Sequence, residues 1–138
     1  MNIDAIENGI VIDHIPAGHG LDLYEMLELD ALDCAVAIIQ NAHSNKTGKK
    51  DIIKVANRFD LDLSVVGYVA PDAVVNRIVD GQRMEKEKVE LPSRIEDVVK
   101  CKNPRCITSV EQELKQIFEL SDKESGTYRC LYCESEAY

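Results

Sequence analysis

The sequence predicts an α+β chain in two parts: a mostly antiparallel sheet with helices against one face, then a small cysteine-bound domain. Two observations carry this. Strand-like runs rich in β-branched residues alternate with two helix-like stretches as far as Leu91, and four of the five cysteines crowd into the last 38 of 138 residues. Hydrophobic residues make up 45% of the chain, which argues for folded cores rather than disorder.

Residues 10–15 (Ile-Val-Ile-Asp-His-Ile) read as a strand stopped by Pro16 and Gly18. Residues 19–29 read as an amphipathic helix with Leu23, Tyr24, Met26 and Leu27 on one face and Asp22, Glu25 and Glu28 opposite. The apolar run at 34–40 suits a central buried strand, and residues 41–49 read as a polar loop. Residues 50–56 fit a strand or a helix, with the strand favoured; either period puts Lys50 and Lys54 on one side. Residues 62–70 read as a second helix, capped by Asp60 or Asp62 and ended by Pro71. Asp80-Gly81 joins strand-like runs at 73–79 and 82–91, as a type I′ hairpin requires. The predicted order is β-α-β-β-α-β-β.

Leu91-Pro92-Ser93-Arg94 reads as a joint, dividing the chain into residues 1–92 and 93–138. The first part carries 9 Lys/Arg against 16 Asp/Glu, a net −7, and the second 7 against 9, a net −2. Neither half has the basic excess that nucleic-acid backbones demand. Lys46, Lys49 and Lys50 make a poor nucleic-acid patch in so acidic a chain with 5% aromatics. The start of the chain lacks a basic stretch followed by an apolar run, and no apolar run reaches the ~18–20 residues of a membrane span. The expectation is a cytoplasmic protein.

In that setting cysteines bind metal more often than they pair. Cys101-x4-Cys106 and Cys130-x2-Cys133, separated by 23 residues, have the spacing of two metal-binding knuckles joined by a hairpin. Each knuckle offers two sulfurs, and Zn2+ takes four. Asn103-Pro104 suits the turn of the first knuckle. Two disulfides are the bland alternative, and iron in a rubredoxin-like site is another, though there the first pair usually has a two-residue spacer. With all four thiols used, no open position is left for catalysis. A domain under ~50 residues draws much of its stability from such a metal. Cys34 reads as a small core residue. No Ser/His/Asp or Cys/His set, Gly-rich phosphate loop or carboxylate pair appears, so catalysis has no candidate residues.

Three segments and the cysteine set together resemble a known family. They are residues 5–18 (Ala-Ile-Glu-Asn-Gly-Ile-Val-Ile-Asp-His-Ile-Pro-Ala-Gly), 48–54 (Gly-Lys-Lys-Asp-Ile-Ile-Lys) and 70–78 (Ala-Pro-Asp-Ala-Val-Val-Asn-Arg-Ile), followed by Leu91-Pro92. In this order, over roughly residues 3–138, the chain resembles the regulatory chain of aspartate carbamoyltransferase. The resemblance implies a ferredoxin-like allosteric domain with two helices, and a small all-β zinc-ribbon or rubredoxin-like domain that contacts the catalytic chain. It implies a non-catalytic subunit in pyrimidine biosynthesis, with regulatory homodimers bridging two catalytic trimers. CTP and UTP are the expected inhibitors and ATP the activator, with one structural Zn2+ per chain held by Cys101, Cys106, Cys130 and Cys133.

The resemblance also implies the nucleotide site. Ile3, Ala5 and Ile6 match the segment whose backbone reads the base, Asp13 lies by the ribose, and His14 beside the phosphates. Lys50, Lys54 and Lys86 match lysines around the ribose and triphosphate, and Asn76 an Asn of the same site. Asp80-Gly81 stands where the family has an aromatic residue near the base, and Arg83 where it often has an aliphatic one. Lysines are point charges suited to phosphates, and a cluster stands out in an acidic domain; from spacing alone they read as solvated. A lone His in an apolar strand is more often structural, whereas Asp13 there needs a partner such as a hydroxyl or a lysine. A zinc-ribbon adaptor is the rival reading, and it lacks a basic face on residues 93–138.

Overall fold

The computed structural model describes residues 7–45, 48–58, 60–111 and 113–137. The chain divides into two compact units, Met1–Glu90 and Leu91–Tyr138.

In the first unit, strands β1 (Gly9–Pro16), β2 (Val36–Ser44), β3 (Gly48–Ala56), β4 (Val74–Val79) and β5 (Gln82–Lys88) form one sheet in the order β2-β3-β1-β4-β5. All four pairings are antiparallel. Helices α1 (Gly20–Met26) and α2 (Leu63–Val69) pack on each other, and α1 also packs on β2 and β3. Period-2 alternation explains the layering: Ile10, Ile12, Ile53, Val55 and Val75 are buried with Leu23 of α1 and Val66 of α2. The residues between them on each strand face the other side of the sheet.

Asp62 caps α2, its carboxylate accepting the Ser64 amide at 3.0 Å. Asp80 and Gly81 both take positive φ, 51° and 79°, as the type I′ reading of the hairpin requires.

Three sequence expectations are corrected. The predicted helix 19–29 ends at Met26, because Glu28 is left-handed (φ 54°); a single 3-10 turn at Leu29–Ala31 follows. The predicted loop 41–49 is mostly strand: β2 runs to Ser44 and β3 starts at Gly48, with His43 opposite Lys49. The apolar run 34–40 belongs to an edge strand rather than a central one. An edge accepts the polar Gln40-Asn41 because its outer backbone groups do not face the core.

The second unit is a three-stranded antiparallel sheet in the order β6-β7-β8, made of β6 (Arg94–Glu96), β7 (Ile117–Asp122) and β8 (Thr127–Cys130). A one-turn helix, α3 (Ile107–Val110), follows the first cysteine pair. Ile95, Phe118 and Tyr128 form its small core, and the Tyr128 hydroxyl donates to the Pro92 carbonyl.

Candidate functional sites

The four cysteines of the second unit converge. Their Sγ atoms all lie within 4.8 Å of one another, with Cys101–Cys133 at 3.5 Å and Cys106–Cys130 at 3.7 Å. Those separations are far beyond a disulfide bond of ~2.05 Å. They match the ~3.8 Å edge of a sulfur tetrahedron around an ion bound at ~2.3 Å. The first knuckle is a turn in which Cys106 N–H donates to Asn103 O at 3.0 Å and Arg105 N–H to Asn103 Oδ1 at 3.0 Å. The second is closed by Glu134 N–H to Cys130 O at 2.9 Å.

Neighbours orient the thiols. Thr108 Oγ1 lies 3.1 Å from Cys106 Sγ, and Cys101 N–H donates to Gln116 Oε1 at 2.9 Å. Hydrogen bonds from Ser135 hold the Cys133 thiol down to about 6, while burial pushes Cys101 up to about 12. Four crowded thiols shed all their protons together only when a cation balances them. The geometry therefore fits a bound metal ion with four thiolate ligands and no open position.

The other site lies on the face of the first sheet opposite the helices. Cross-strand partners share a face, and the register strings Lys54, Val11, Asn76 and Lys86 into one row across β3, β1, β4 and β5. At ~4.8 Å per strand, the row puts the Lys54 and Lys86 backbones about 14 Å apart. Asn76 Oδ1 is buried without a hydrogen-bond partner among the described residues. A buried acceptor of that kind asks for a donor.

One turn of pleat further along, β1 is bulged. Ile12 pairs with Ile53 and Ile15 with Asp51, so Asp13 and His14 together oppose Ile52. His14 takes the left-handed conformation (φ 58°) and donates its N–H to Asp13 Oδ1 at 2.6 Å. The strict alternation of a regular strand is broken here. Asp13 forms an ion pair with Lys50 at 2.9 Å. Burial raises the Asp13 pKa, but the Lys50 hydrogen bond and the His14 amide outweigh it and leave the carboxyl below its ordinary 3.8.

His14, Ser44, Lys50, Lys86 and Lys88 line a cleft of about 470 Å3. The structure thus pairs Lys50 with Asp13 and brings His14, Lys50 and Lys86 to one cleft, while Lys54 and Asn76 share the sheet face of Lys86 without lining that cleft. Ile3, Ala5 and Ile6 lie outside the described residues. Arg83 is on β5 opposite Ile78.

Sequence reasoning missed Asp51, which supports the site from behind. Its carboxylate is fully buried and accepts three amides: Gly18 at 3.1 Å, Gly20 at 2.9 Å and Asn41 at 3.0 Å. It thereby ties the start of α1 and the β2 bulge to β3, the strand that carries Lys50 and Lys54. Its position within the Lys-Lys-Asp-Ile-Ile alternation was the available signal, since it shares a face with Ile53.

Two family models account for nearly the whole chain: the allosteric domain of the aspartate carbamoyltransferase regulatory chain over residues 1–90, and the metal binding domain of the same chain over 93–138. The chain belongs to the aspartate carbamoyltransferase regulatory-chain family. Regulatory chains of this enzyme from Clostridium botulinum (50% identical over 134 residues, 97% of this chain and 92% of the relative) and Clostridium tetani (47% over 135, 97% and 94%) are similar along their lengths. So is that of Bifidobacterium longum (44% over 137 residues, 99% of both). A regulatory chain is a non-catalytic subunit, and the four-cysteine cluster falls in its metal-binding domain. No helix among the described residues is long and apolar enough to cross a membrane.

Proposed function

We propose that this chain is the cytoplasmic subunit through which nucleoside triphosphates control the aspartate carbamoyltransferase of its cell, in pyrimidine biosynthesis. CTP and UTP are the inhibitors and ATP the activator. The row Lys54–Val11–Asn76–Lys86, with the Asp13–Lys50 pair beside it, carries the reading. It combines lysines for phosphates, a carboxylate for a ribose hydroxyl, and an unsatisfied amide oxygen, all on one sheet face of an otherwise acidic unit.

In this reading Lys50, Lys86 and His14 meet the triphosphate, Asp13 and Lys54 the ribose, and Asn76 completes the site. The backbone of Ile3, Ala5 and Ile6 reads the base. Cys101, Cys106, Cys130 and Cys133 hold one Zn2+, which supplies no reaction step; it fixes two knuckles and the surface they present. That surface docks on the catalytic chain, and regulatory dimers bridge two catalytic trimers. An effector shifts the trimers between two states only by its differential affinity for them, and couplings of about 1–3 kcal/mol are typical.

The test is aspartate saturation of the cognate catalytic trimers with and without this chain, each with and without CTP and ATP. A curve altered by the chain and moved again by nucleotide supports the reading. Assembly with no nucleotide shift removes the effector site; failure to assemble with zinc present removes the docking role.

A further inference from the structure

Strand β5 reads Glu85-Lys86-Glu87-Lys88, so its two charge signs point to opposite faces. Glu85 and Glu87 lie on the helix side, where Arg77 Nη1 takes both, at 3.2 and 2.8 Å. Lys86 and Lys88 lie on the other side, opposite Asn76 and Val74, and both line the cleft. The two lysines stand about 7 Å apart along the strand, and neither has an ion-pair partner among the described residues.

The charges that line the cleft decide what Lys88 does. Lys50, Lys86 and Lys88 face it, and so do Asp72 and Glu90. Lys50 is already engaged by Asp13, which leaves Lys86 and Lys88 as the lysines of the lining with no ion-pair partner among the described residues.

Resting on the nucleotide-site reading above, we propose that Lys88 is a further phosphate-binding residue of the effector site, and that it selects ligands by the length of their phosphate tail. Lys86 holds the phosphate nearer the nucleoside, and Lys88 the terminal one. A monophosphate reaches the first lysine and not the second.

The experiment measures, on the full-length chain at fixed ionic strength, calorimetric binding of ATP, ADP, AMP and inorganic tripolyphosphate to the unaltered protein, Lys88→Ala and Lys88→Arg. Lys88 is exposed on an edge strand, so neither variant endangers the fold. The expected result is a loss of ATP and tripolyphosphate affinity of roughly tenfold in Lys88→Ala, AMP affinity unchanged, and recovery in Lys88→Arg. Equal losses for ATP and AMP, or no loss while the unaltered chain binds ATP, overturn the role of Lys88 and leave the nucleotide site standing. If the unaltered chain binds none of the four ligands, the nucleotide-site reading falls and the inference falls with it.

Discussion

The amide of Gly20 lies 2.9 Å from the buried Oδ2 of Asp51, and a Cβ on Gly20 would stand 2.8 Å from the same oxygen. Only hydrogen fits there. Asp51 and Gly20 act as one unit, because the carboxylate takes the place of a capping side chain that His19 does not provide. Asp51→Ala would leave three amide donors without their acceptor, a cost of about 3 kcal/mol or more. Gly20→Ala would displace the carboxylate from the same position. Chemical denaturation should show a lowered midpoint for both variants, while the second unit keeps its metal. An unchanged midpoint would rule out the anchoring role of Asp51.

The Asp13–Lys50 pair predicts a pH dependence with a definite sign. The folded pKa of Asp13 is below its ordinary 3.8. Its contribution to stability is therefore in place above that value and is lost as pH falls through the lowered folded one. NMR titration of the Asp13 carboxyl should give a value below 3.8 in the native chain. Lys50→Met should raise it, because burial then acts with less opposition. The same titration curve in both proteins would contradict the ion pair.

Lys86→Ala should weaken the response to CTP and ATP without separating regulatory from catalytic chains. Asn76→Ala, which removes the buried unpartnered oxygen, should weaken nucleotide binding while costing the free chain little stability. Effector titrations and sedimentation on the same samples read both effects. Responses to CTP and ATP unchanged in Lys86→Ala would place the effector site elsewhere.

The expected metal content is one zinc per chain, with four sulfurs at about 2.3 Å by X-ray absorption. Cys106→Ser or stripping the ion should remove stability on the order of 10 kcal/mol from the second unit. Catalytic trimers should then be released, while the first unit still binds nucleotide. An assembly that survives without metal would show that docking does not depend on the knuckles.

Parts of this architecture were legible in the sequence because their causes are local. Asp80-Gly81 dictates its own turn, and two cysteine pairs at knuckle spacing bring their geometry with them. Other parts depend on partners distant in sequence. The bulge at Asp13-His14 is settled by pairing with Ile52, and nothing in Ile-Asp-His-Ile announces it. Asp51 shares a face with Ile53, but the amides that make a buried carboxylate tenable there arrive only with the fold, Gly20 from 31 residues earlier among them. The polar composition of residues 41–49 suggested a loop, because edge strands and loops share the same tolerance for polar side chains. The lysines were visible as residues; their gathering on one sheet face needed the order β3-β1-β4-β5.

Strand β5 has no buried side chain, so the usual safeguard of a strand's alignment, an apolar face that must point inward, is missing. Charge takes over that task. Sliding β5 by one residue against β4 would turn Glu85 and Glu87 into the cleft beside Asp72 and Glu90, and bring Lys86 and Lys88 to the face that carries Arg77. Both faces would then repel. The strand is proofread by the sign of its side chains, and the same lysines that line the cleft also penalise the wrong alignment.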